Sequence, residues 1–243
     1  MYSRVLSFGR PLAEVFSIRY IGGGVPRGTI SVFDGKRGQT IYSNERDQTT
    51  SVSQNDNNVV QLLLTGPYRA ISADGCVAIQ LDLPGRCKDQ ITLDVYNKAT
   101  KYDQAVTKVV NTSRDDVHAE VTYALLSNAV EAIVEVKLAL EQDEPVYGKI
   151  IARSTLGNVL LFESNEENTC IRSSKGVTII PLTRSVLAMP LTSSLTIEMD
   201  LHDHLNVEIV KGAQECKPDL DIEHVLHFPG KNGQVDVKIT WSE

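Results

Sequence analysis

Tryptophan occurs once in this 243-residue chain, and aromatic residues together make up only 6 %. Single-stranded nucleic acids are held on aromatic platforms beside positive charge. Here the platforms are scarce and the net charge is −7, so a long polyanion meets overall repulsion. The four cysteines, Cys76, Cys87, Cys170 and Cys216, show no C-x-x-C spacing. That argues against a zinc site or disulfide framework and for thiols in a reducing compartment. No apolar run has the length of a membrane span, and the opening MYSRVLSFGRPLAEVF lacks a signal-peptide core. The expectation is a cytoplasmic protein without a membrane partner. Nor is there a G-x-S-x-G elbow or a Cys/His signature, so no catalytic residue is nominated and no cofactor is expected. Enzyme activity stays open, with the balance against it.

What the chain does have is alternation with period two. In GQVDVKITW, Val235, Val237, Ile239 and Trp241 point one way, and Gln234, Asp236, Lys238 and Thr240 the other. Asn232-Gly233 before it is a turn signal. In AVEAIVEVKLAL the inward set is Val130, Ala132, Val134, Val136, Leu138 and Leu140, with Glu131 and Glu135 as surface acids. Further strands are expected at 13–21, 28–34, 39–44, 59–65, 76–83, 91–97, 117–126, 147–153, 158–163, 177–182, 194–201 and 206–210. DQAVTKVV (103–110) is read as a short helix capped by Asp103. Many short strands with few helices mean an antiparallel sandwich or barrel.

The pattern also repeats. At an offset of 118, Leu64-Thr65 falls on Leu182-Thr183, Ala70 on Ala188, Ile79 on Ile197 and Asp82-Leu83 on Asp200-Leu201. Gly28 parallels Gly148 at 120, and Ser43-Asn44-Glu45 parallels Ser164-Asn165-Glu166 at 121. A period this long excludes a solenoid. The expected fold is therefore an all-β antiparallel sandwich over residues 1–243, built from two related halves. The halves are half-repeats at 13–116 and 141–243, joined by a central, bridging strand pair at 117–140.

Several stretches invite chemistry. The glycines of IGGGVPRG (21–28) lead into a strand, whereas a phosphate loop needs a helix start; they are read as a turn. His202 and His204 alternate and could bind a metal with His224 and His227, although DLHDHLN also reads as a hydrophilic loop. Asp200 and Asp203, with Asp34, suggest calcium ligands but lack the dense clustering that calcium wants. His202, His204, Asp200 and Asp203 are thus weak metal candidates, and no metal is assigned. The turn TGPYRAIS and its echo TRSVLAMP are candidate interaction edges, with Tyr68 and Arg69 as binding residues, since Tyr and Arg are enriched in hot spots.

GTISVFDG, LTGPYRAIS, AVEAIVEVKL, YGKIIA, LTRSVLAMPLTSSLTIEMDL and VDVKITW together resemble a domain of unknown function abundant in grasses. It is found alone and C-terminal to the ribosome-inactivating domain of jasmonate-induced ribosome-inactivating proteins of cereals. The resemblance runs from about residue 13 to 242 and implies a plant stress or defence context. The expected function is a non-enzymatic protein-interaction module, with a protein as partner and the ribosome implied by family association. One alternative is a translation-directed factor, either associated with rRNA N-glycosylase activity or cap-binding-like. Cap binding, however, sandwiches a guanine between two tryptophans. The other alternative is a ligand- or glycan-binding module.

Overall fold

The computed structural model describes residues 9–22, 24–44, 54–55, 59–83, 87–111, 117–140, 145–165, 171–172, 176–220, 222–231 and 233–243. Gly23, Glu45, Glu166, Cys170 and Asn232, singled out above, lie outside them, as do residues 112–116 and 141–144. Among the described residues there are strands and no helix. The first ten are β1 (Arg10–Ile21), β2 (Gly28–Phe33), β3 (Gly38–Asn44), β4 (Gln54–Asn55), β5 (Val59–Gln61), β6 (Ile71–Ser72), β7 (Val77–Leu83), β8 (Cys87–Leu93), β9 (Gln104–Asn111) and β10 (His118–Leu140). Then come β11 (Pro145–Arg153), β12 (Asn158–Ser164), β13 (Ile171–Arg172), β14 (Gly176–Ile179), β15 (Val186–Pro190), β16 (Leu195–Asp203), β17 (Glu208–Cys216), β18 (Glu223–Pro229) and β19 (Gly233–Ser242). All pair antiparallel in three sheets, giving a sandwich-like body and not a closed barrel.

The large sheet is organised by β10. Where a strand pair is expected over 117–140, one 23-residue strand runs through. Its first part pairs with β1 and β9, its second with β14, β15 and β19. Ser127-Asn128, which resembles a turn, instead falls where the β1–β10 register shifts, a bulge that bends the strand without ending it. Ala129 pairs with Arg10 and Pro190, and Glu131 with Ser242 and Ala188. Since Pro190 and Ala188 share β15, Arg10 and Ser242 share the other side of β10. Strands β1 and β19 therefore lie end to end along it.

Two four-strand paths flank this sheet, β3-β2-β7-β8 and β12-β11-β16-β17, in corresponding order. Corresponding defects mark them. The ladder slips between Ile30 and Ser31 in one and between Ile150 and Ile151 in the other. Gly28 (φ +117°), the first residue of β2, and Gly148 (φ +133°), inside β11, match, and a Cβ there would stand 2.0 Å from the Asp82 carbonyl oxygen and 2.1 Å from that of Asp200. Only glycine accepts both the positive φ and that approach. Thr65 donates its N–H to Ile41 and Thr183 donates to Leu161.

Two apolar cores result, one around β2, β3 and β7, the other around β11, β12 and β16. The inward sets read from alternation are buried, including Val235, Val237, Ile239 and Trp241. Leu12, Phe16 and Ala70, from the first half of the sequence, pack into the second core beside Ala124 and Leu126 of β10.

Some expectations need correction. Residues 104–111 form β9, an edge strand paired with β10, not a helix. The β-branched Val106, Val109 and Val110 favour the pleat. Asp103 does not cap a helix: at φ 56°, its carboxylate accepts the Ser127 N–H and hydroxyl. DLHDHLN is not all loop either, because β16 continues through Asp203. Strands β4, β6, β13, β15 and β18 lie outside the expected spans; in β15, VLAMP is buried throughout and does not alternate.

Candidate functional site

The turn after Thr65 is built to hold its backbone still. The Gly66-Pro67 peptide is cis. Gln39, on β3, accepts the N–H groups of Tyr68 and Arg69 at 3.0 and 3.2 Å and donates its amide to the Arg69 carbonyl at 3.2 Å. Arg69 reaches inward, pairing with Asp34 at 2.6 Å and bonding the Ala70 carbonyl. Asp34, almost wholly buried, ends the β2 hairpin and accepts the backbone N–H groups of Lys36 and Arg37. Burial raises its carboxyl pKa, but the Arg69 hydrogen bond, those N–H groups and the Arg69 charge together pull it down to about 2. Arg69 is thus committed to the fold, and Tyr68 stands out of the turn 76 % exposed.

Two neighbouring loops share this end. Asp34 lies 3.4 Å from the Ser72 N–H, Ser72 donates to Asp74, and the Tyr96 hydroxyl donates to the Asp74 carbonyl at 2.9 Å. Tyr96 is pinned by its tip yet 78 % exposed. Phe33, at the end of β2, is 41 % exposed. Sequence reasoning missed Tyr96; the signal was an aromatic in the Asp/Asn turn DVYN.

The echo turn TRSVLAMP is no edge at all: Arg184, Val186, Leu187, Ala188 and Met189 are buried. The Arg184 guanidinium is spent on the Val15 and Val186 carbonyls and on Glu14, and Glu14 also accepts the Ala188 N–H at 2.6 Å. Burial pushes the Glu14 carboxyl upward against the pull of Arg184. Glu131, read as a surface acid, instead accepts the Ala70 N–H. Each turn thus docks on a carboxylate distant in the sequence, Glu131 of β10 for the first and Glu14 of β1 for the second.

Of the histidine and aspartate candidates, only His202 and Asp200 approach each other. His202 stacks on Tyr147 with ring centroids 5.8 Å apart and lies 3.4 Å from Asp200. Asp200 pairs with Lys211 at 2.6 Å. Asp203, buried, accepts the N–H groups of Leu205 and Val207 to close the turn after β16, where His204 is exposed. His227 pairs with Asp236, and Asp34 is committed to Arg69. Among the described residues no group of three or more His, Cys, Asp or Glu could hold a metal ion. No described helix is long and apolar enough to cross a membrane. Cys216 is buried, which pushes its thiol up to about 11, while Cys76 is exposed.

A groove of about 370 Å³ lies where β1 and residues 61–64 face β11 and β12. Its walls include Leu63, Ile151 and Leu160, and Lys149 and Glu163 form a 3.0 Å ion pair in it.

Compared with solved structures, the chain is similar to Extended-Synaptotagmin 2 in a structure holding its SMP domain and both of its C2 domains. Identity is 10 % and TM-score 0.34, over 99 % of this chain and 58 % of that one, so the chain spans a little over half of that length. A structure of the two C2 domains alone gives 9 % and 0.28, over 99 % and 93 %. Human GIVD cytosolic phospholipase A2 gives 7 % and 0.30, over 97 % and 31 %. Scores this low transfer nothing to the chain. No curated protein is a significant match. The family model described as "Domain of unknown function (DUF6598)" matches residues 12–239, nearly the whole span from β1 to β19, and the chain belongs to that family.

Proposed function

We propose that the chain is a non-enzymatic interaction module, formed by a doubled β-unit, whose binding surface is the loop end carrying Tyr68 and Tyr96. One observation carries this reading. Tyr68 is 76 % exposed on a turn whose backbone is clamped by Gln39 and whose neighbour is locked on Asp34. A protruding tyrosine on a fixed backbone has only its two side-chain torsions left to order when a partner covers it, and Tyr is enriched among hot spots. The partner in this proposal is a cytoplasmic protein, and the stress or defence setting comes from the grass-domain resemblance. A second reading, a glycan or small-ligand site, is favoured by the further exposure of Tyr96 and Phe33 on the loops that share hydrogen bonds with this turn.

Proximity capture with the whole chain, run beside Tyr68→Ala/Tyr96→Ala, tests the module. A specific protein captured by the wild type and lost with the double variant is the expected result, with the unfolding midpoint unchanged. Capture indifferent to both tyrosines would sink the assignment of this end. Oligosaccharide binding that depends on the same residues would move the site to the glycan reading. Adenine release from intact ribosomes, at a rate near that of a ribosome-inactivating control, would overturn the non-enzymatic proposal.

A further inference from the structure

Away from Tyr68, we infer that the groove between β1, residues 61–64, β11 and β12 is a binding site for a small, uncharged, lipophilic molecule bearing a hydroxyl or carbonyl group. About 370 Å³ lies within the range of small-molecule pockets. The walls bring Leu63 from one half of the sequence against Ile151 and Leu160 from the other, all three only partly buried.

A comparison inside the molecule shows that this apolar lining is not demanded by the fold. Ile151 and Leu160 are cross-strand partners immediately after the ladder slip in β11 and β12. At the matching place in β2 and β3, immediately after that ladder's slip, stand Ser31 and Thr40, whose hydroxyls lie 3.3 Å apart. The same backbone position thus accepts a hydroxyl pair in one sheet and carries half-buried aliphatic side chains in the other.

The choice of an uncharged occupant follows from the polar groups present. Lys149 and Glu163 neutralise each other at 3.0 Å, so neither sign of ligand charge is favoured. The remaining polar side chains, Ser17, Gln61, Thr122 and Asn158, are neutral hydroxyls and amides. They match a single hydroxyl or carbonyl, while an ionic head would have to break the existing pair.

Fluorescence titration of the whole chain with Nile red, an uncharged solvatochromic dye, tests the site. Saturable, blue-shifted emission at one dye per chain is expected, with displacement by 1-dodecanol. Dodecanoate is expected to compete at least tenfold more weakly. Ile151→Ser/Leu160→Thr, which installs the pair of the other sheet, should weaken dye binding at least tenfold. Leu63→Gln, on the opposite wall, should do the same and serves if the double variant fails to fold. Absence of saturable binding, or binding unchanged in a folded variant, would overturn the site. Equal competition by dodecanoate would overturn the uncharged ligand, and displacement by short extended peptides alone would replace it with a peptide groove.

Discussion

At the scale of single residues, the buried ion pairs give the sharpest tests. Asp34 has its pKa depressed from 3.8 to about 2. A carboxyl depressed in the folded state stabilises above its unfolded value and loses that contribution as pH falls through the folded one. The window here runs from about pH 4 down to about pH 2, and the stake is about 2 kcal/mol. Arg69→Met should therefore cost about 1–2 kcal/mol at pH 7 and progressively less towards pH 2, by urea unfolding. A difference that stays constant with pH would count against the pair. Arg184→Ala leaves Glu14 buried without its cation and should cost about 3–5 kcal/mol, whereas Glu14→Gln/Arg184→Met should recover much of it. These partners were only faintly legible. Glu14 interrupts an apolar strand, a hint that something must answer its charge, but Arg184 lies 170 positions away in a turn that passes for surface. Arg69 looked like a free hot-spot residue because nothing local shows that Asp34 would claim it.

At the scale of elements, alternation carried most of the information. Strands with one wet face announced themselves by period two, as the buried Val235, Val237, Ile239 and Trp241 of β19 show. The misreadings have physical causes. β9 has an exposed surface with only Val110 deeply buried, so its sequence carries no clean two-residue signal. In β10 the Ser127-Asn128 pair imitates a turn although the ladder continues on either side. Gly28 of β2 and Gly148 of β11 were legible as a pair but not in their cause, the carbonyl pressed against each. Gly28→Ala and Gly148→Ala should each cost about 2–3 kcal/mol, from strained φ plus displaced backbone. Thermal unfolding of the two variants measures this, and loss at only one of them would contradict equivalent roles.

At the scale of the whole molecule, β10 supplies side chains to both cores, and Leu12, Phe16 and Ala70 join the second. Urea unfolding should accordingly be one transition, with Trp241 fluorescence and far-ultraviolet dichroism coincident. A plateau between two steps would show the halves unfolding separately. Val134→Pro, which puts a ring in the middle of β10, should cost more than about 3 kcal/mol and lower both halves together. The candidate binding end was half legible: Tyr68 was nominated from its turn, but Tyr96 joins it only through contacts that close in three dimensions. One last consequence comes from β1 and β19 lying end to end along β10, with Arg10 opposite Ala129 and Ser242 opposite Glu131. Two strand residues span about 7 Å, so a few glycines can join position 243 to position 9 without disturbing either ladder. A circular permutant made that way, reopened in the exposed turn at Asn97-Lys98, should fold to the same sheets, and its first strand would then be the one now numbered ninth.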